Sequence, residues 1–227
     1  MYILALETTD KSASVAVFDN ENQIYSTELN PDIRSAQTLA PGIDQALHCA
    51  GITPADVKLV AVTQGPGSFT GLRVGVVTAK TFAWAVNADI IGVDTLECVA
   101  NEAPENVLSV SVAFDCQRGQ VIYRNFNRDE SGWFVPSGEE TVANWQTWLE
   151  ETDSACWLSG PYVDRIDNSA LSERNVVPAA LRAPTAVGTA KLAWRLYQSG
   201  RKDDLMQLLP HYSRPAAAEE KRLASNK

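Results

Sequence analysis

The densest cluster of chemistry-bearing residue types is TQGPGSFTGLRVG, Thr63–Gly75, with four glycines and a proline in thirteen residues. It lies between the apolar run Leu59–Val62 and the stretch Leu72–Val86, so it reads as a turn joining a strand to a helix. Such a turn is where many proteins hold phosphate. A Walker loop, however, needs G-x-x-x-x-G-K-[ST], and here Gly71 is followed by Leu72 and Arg73. The dinucleotide fingerprint fails as well, because Thr70 stands where its third glycine belongs. Backbone amides at Ser68–Gly71 remain able to meet an anion at the helix start. The alternative is packing: Pro66 and Gly67 build a turn, and Ser68 or Thr70 caps the helix. Gly71, Gly75 and Ala79 then form a stripe at a spacing of four, along which another backbone can approach.

Other reactive groups are sparse. The two histidines, His48 and His211, stand in no H-E-x-x-H pattern and beside no second ligand, so no metal site is expected. No serine occupies a G-x-S-x-G elbow. The four cysteines, Cys49, Cys98, Cys116 and Cys156, make no C-x-x-C pair and read as buried free thiols. Among 227 residues the net charge is −9, with the acids spread along the chain, so contact with a nucleic-acid backbone would need a partner's positive surface. No apolar run approaches a membrane span and no signal peptide is visible, so the expected location is the cytoplasm, with no membrane contact.

The elements that must position these residues begin with three strands, Tyr2–Leu6, Ala13–Phe18 and Gln23–Leu29. A helix over Ser35–Ala50, interrupted by Pro41, and strands at Leu59–Val62 and Asp89–Asp94 complete a first set. The order then begins again with Val107–Phe114, Gln120–Phe126, a helix near Val142–Glu150, a strand at Cys156–Gly160 and a helix over Thr185–Gln198. Two βββαβα-type halves, residues 1–102 and 103–227, predict a duplicated α/β fold of the actin/Hsp70/sugar-kinase (ASKHA) type, the second half ending in a polar tail from Ala216. In that fold an acid after the first strand orients magnesium near a nucleotide's phosphates. Glu7, with Thr8, Thr9 and Ser68, is the candidate vestigial phosphate or nucleotide site.

GPGSFTGLRVGVVTAKTFAWA (Gly65–Ala85) closely resembles the signature of the TsaB (YeaZ) family of tRNA threonylcarbamoyladenosine (t6A) proteins. ILALETTDKSASVAV (Ile3–Val17), FDCQRGQVIY (Phe114–Tyr123) and LLPHYSRPAAAE (Leu208–Glu219) are similar to further family segments, although Gln117, Gln120 and Ser213 depart from the usual residues. The resemblance implies the actin-like fold and a subunit without catalytic residues or metal of its own. It implies pairing with the homologous catalytic subunit TsaD, recruitment of the ATPase TsaE, self-association as a homodimer, and contact with tRNA only through the complex. ATP and magnesium are used by that complex, and no cofactor is expected on this chain. Carried onto this sequence, the partner interface would use the first two helices, with Leu39, Ile43, Leu47, Gly71, Val74, Gly75, Val77, Thr78 and Thr81 as candidates. Substitution of Gly75 by leucine would then block pairing and spare the monomer. A second reading is an ATP-dependent small-molecule kinase or ATPase of the same superfamily. A third, peptidase, finds no nucleophile–base pair in the sequence.

Overall fold

A computed structural model describes residues 1–213. The expected polar tail from Ala216 lies outside the described residues. The first sheet contains β1 (Tyr2–Glu7), β2 (Ser14–Asp19), β3 (Asn22–Glu28), β4 (Val57–Gly65) and β5 (Asp89–Asp94), in the order β3-β2-β1-β4-β5. β1 pairs antiparallel with β2 and parallel with β4, so the chain crosses over through a helix to return parallel. The second sheet contains β6 (Ser109–Asp115), β7 (Gln120–Arg128), β8 (Phe134–Pro136), β9 (Thr141–Asn144) and β10 (Trp157–Ser159), with β10 parallel to β6. Both sheets thus open with an antiparallel meander and end on a parallel strand after a helix. This is a duplicated actin-like fold.

Alternation along the strands places the core on both faces of the first sheet. Leu4, Leu6, Val15 and Val17 face α1 (Ser35–Cys49) and α2 (Phe69–Val86). Ile3, Ala5, Ala16 and Phe18 face α5 (Ala186–Gln198) on the other side. Around the second sheet, α3 (Thr95–Ala100) covers one face through Leu96 and Val99, and α4 (Trp145–Glu151) covers the other through Trp148.

Three features differ from the sequence expectation. α3 was unforeseen, because a six-residue helix is too short to show periodicity; Asp94 caps it by accepting from the Glu97 amide at 3.0 Å. Residues 141–144, expected at the start of a helix, form β9, and the helix begins at Trp145. The division at residue 102 separates the sheets but not the helices. α5 leaves the second half and lies on the first sheet through Ala186, Ala190 and Ala193, with the Ala186 amide donating to Ser14 Oγ at 2.9 Å. α1 meanwhile runs on through Pro41.

The second sheet's core turns on Trp148, fully buried, whose Nε1–H donates to Ser111 Oγ at 2.8 Å. Trp148→Phe removes that donor and part of the buried volume. The expected loss is about 2 kcal/mol of unfolding free energy by urea titration.

Candidate functional site

The two candidate regions of the sequence meet at one place. β1 delivers Glu7, Thr8 and Thr9 to the sheet's carboxyl end, and the turn after β4 delivers Gly65–Ser68 beside them. Ser68 caps α2 by accepting from the Gly71 amide at 3.2 Å, as the turn chemistry predicts. Its own amide donates to the Thr9 carbonyl at 2.7 Å. Thr8 Oγ1 donates to the Gly71 carbonyl at 2.8 Å.

The glycine stripe therefore has a partner within this chain. A methyl group at Gly71 would strike the Thr8 carbonyl oxygen, and one at Gly75 would strike Thr8 Oγ1. Gly71 and Gly75 permit the hairpin after β1 to seat on α2, and both are buried. This corrects their expected place on a partner-facing surface. Leu39, Ile43 and Leu47 need the same correction, being only 1%, 6% and 4% exposed and packed in the first half's own core. Apolar residues at helical spacing mark the face that meets the sheet before they mark any other.

What the second helix does present outward is Val77, 62% exposed, and Trp84, 74% exposed, seven residues apart on one stripe. Thr81 is exposed beside them, Thr78 is half-buried, and Val74 packs partly against the core. Trp84 lies within the segment Gly65–Ala85 but is not among the contacts expected from the sequence. The signal available was its position one helical turn beyond Lys80 and Thr81.

The hairpin is closed as it stands. Thr8 and Thr9 are each 2% exposed and Glu7 is fully buried. Glu7 Oε1 accepts from both the amide and the hydroxyl of Thr9. Its other oxygen and the Thr63 hydroxyl are buried without a hydrogen-bond partner. Burial pushes the Glu7 carboxyl up to about 7, against the opposing pull of the Thr9 hydroxyl and amide. These groups do not fit a magnesium–phosphate cradle. The Thr8 and Thr9 hydroxyls are spent on neighbours, and the acid faces the protein interior. Ser68 alone is exposed, and its oxygen already holds the helix amide. No step is derived through a nucleotide.

Among the described residues no group of three or more His, Cys, Asp or Glu side chains is placed to hold a metal ion. No described helix is long and apolar enough to cross a membrane. Cys98, Cys116 and Cys156 are buried, as expected, whereas Cys49 is exposed at the end of α1.

Two expectations test this geometry. The folded state holds the Glu7 proton more tightly than the unfolded chain does. Stability therefore falls as pH rises from about 4.5 toward about 7. Glu7→Gln removes that loss and, at pH 8, should exceed the native chain in unfolding free energy by up to about 3 kcal/mol. Urea titrations at pH 5 and pH 8 measure the difference. Gly75→Leu forces Thr8 off the helix, so the expected outcome is an unfolded or aggregated chain in circular dichroism and gel filtration. That replaces the earlier expectation of a folded monomer unable to pair.

Comparison with known proteins follows the same lines. The family model described as TsaD, tRNA N6-adenosine threonylcarbamoyltransferase, matches residues 32–133. The tRNA threonylcarbamoyladenosine biosynthesis protein TsaB of Bacillus subtilis (strain 168) is 29% identical over 242 residues, covering 100% of both chains. The protein of the same name from Escherichia coli (strain K12) is 34% identical over 145 residues, 63% of this chain and 62% of that one. The solved structure of YeaZ from Pseudomonas aeruginosa superposes with a TM-score of 0.78 at 25% identity, covering 93% of this chain and 99% of the other. Sequence likeness along the whole length and the shared fold lead to one conclusion: the chain is similar to TsaB (YeaZ) proteins from end to end.

Proposed function

We propose that this chain is a cytoplasmic, non-catalytic subunit in the synthesis of threonylcarbamoyladenosine beside the tRNA anticodon, acting by pairing with a TsaD-type transferase. The likeness to TsaB proteins supports a role in t6A biosynthesis. The pairing surface is the outer stripe of α2, Val77, Thr81 and Trp84. The observation that carries this reading is the exposure of Val77 and Trp84 on a helix otherwise committed to the core. Tryptophan is the side chain most often found as an energetic anchor in interfaces.

The similarity to a transferase model over residues 32–133 supports the choice of partner, because that range contains α1 and α2. A homologous chain presents an equivalent helix, and two such helices can pack against each other. A second copy of this chain can use the same surface, so self-association competes with pairing. Recruitment of a TsaE-type ATPase then falls to the assembled pair, and ATP and magnesium act there. With a net charge of −9, this chain leaves tRNA contact to its partners.

Omitting the chain from a reconstituted reaction of TsaD, TsaE and the adenylate-forming enzyme should abolish threonylcarbamate incorporation into tRNA. Val77→Asp and Trp84→Asp alter exposed positions and should leave unfolding free energy within about 0.5 kcal/mol of native. Each should weaken pairing with TsaD about tenfold or more, measured by calorimetry, and lower incorporation with it. Incorporation indifferent to this chain would overturn the reading. Incorporation that depends on it yet resists both substitutions would place the pairing surface elsewhere.

A further inference from the structure

After α5 the chain turns back along the free edge of β5 as a strap, residues 201–212. The Asp203 amide donates to the Ile90 carbonyl at 3.0 Å, and Asp203 Oδ2 accepts from the Gly92 amide at 2.8 Å. Lys80 of α2 donates to the Leu208 carbonyl at 2.9 Å, and the Leu208 side chain enters the first half's core. The His211 amide donates to the Gln64 carbonyl at 2.6 Å. Tyr212 stacks on Phe69 with ring centroids 4.4 Å apart. All of these anchors belong to the first half.

One contact does not. His211 Nε2 lies 2.9 Å from Glu140 Oε1 and 3.2 Å from its Oε2. Glu140 immediately precedes β9, so it is carried by the second sheet. Beside this pair a second one crosses the same boundary: Arg124 of β7 to Asp94 at the end of β5, at 3.2 Å. Next to the strap the boundary is thus bridged by a permanent cation and a titratable one, facing two carboxylates, while Arg195 of α5 pairs with Asp129 elsewhere along it.

From this geometry we propose that residues 201–212 form a protonation-dependent clasp between the halves, closed when His211 is charged on Glu140. A neutral imidazole makes a weaker hydrogen bond to a carboxylate than a charged one. The groups facing His211 are Glu140 and Asp94, which favour its charge, and Arg124, which opposes it. Glu140 prevails, and the His211 pKa is raised above its ordinary value. The clasp's contribution is fully present below the unfolded-state value of about 6.5 and is lost as pH rises through the raised one. His211 is 48% exposed, so the effect is modest.

Hydrogen–deuterium exchange of the full chain at pH 6 and pH 9, corrected for intrinsic rates, reads the clasp at the Leu208 and His211 amides. Protection of these amides should fall about fivefold between the two pH values. His211→Gln and Glu140→Gln should each remove that fivefold fall, leaving only the change that Glu7 causes in every variant. His48→Gln, at the end of α1, should keep the native response. Glu7 titrates in the same window but is retained in all these variants, so its influence is common to them. A pH-independent native strap, or a native-sized fall persisting in His211→Gln or Glu140→Gln, would overturn the proposal.

Discussion

Most of the structure depends on α5 crossing from the second half to the first sheet. The helix can lie there because its buried face is small. Ala186, Ala190 and Ala193 allow its backbone to approach Ile3, Ala5 and Phe18, and Gly188 comes close to Cys98 and Glu102 near α3. Burying apolar area at this junction, at about 25 cal/mol per Å², gives the halves a shared core. Surface ion pairs add little to such a contact. Larger side chains on α5 would lift it from the sheet and separate it from α3, which the second half needs as cover for Val110 and Phe126.

The hairpin after β1 shows the same economy of space. Here two glycines bring α2 onto Thr8, and the hydroxyls and carboxyl of the hairpin are turned to one another. A buried acid near neutrality is tolerated because its proton removes the cost of burying a charge. The helix that closes the hairpin exposes Val77 and Trp84 on its far side. One helix thus holds the hairpin on one face and exposes apolar side chains on the other.

Chain order and the longer strands were legible in the sequence because they rest on local signals. Alternation in YILAL and ASVAVF, the polar turn between them, and the glycine-rich turn before α2 each mark an element without reference to the rest. The likeness to TsaB proteins was legible in the Gly65–Ala85 segment for the same reason. α3, β8 and β9 were missed because elements of six, three and four residues leave no period to read. The interface candidates on α1 were misplaced because spacing reveals that a helix has an apolar face, not what covers it.

The sequence by itself determined the duplicated order of elements, the absence of known metal and nucleophile motifs, and the small residues along α2 and α5. Only the tertiary structure decided what those small residues meet. Gly71 and Gly75 meet Thr8 of the same chain, and α5 meets the first sheet instead of the second. It likewise brought His211 to Glu140, 71 positions away along the chain. Local patterns record which side chains avoid water. Partners distant along the chain are fixed only when all the layers pack together, and a single sequence carries no local trace of that choice.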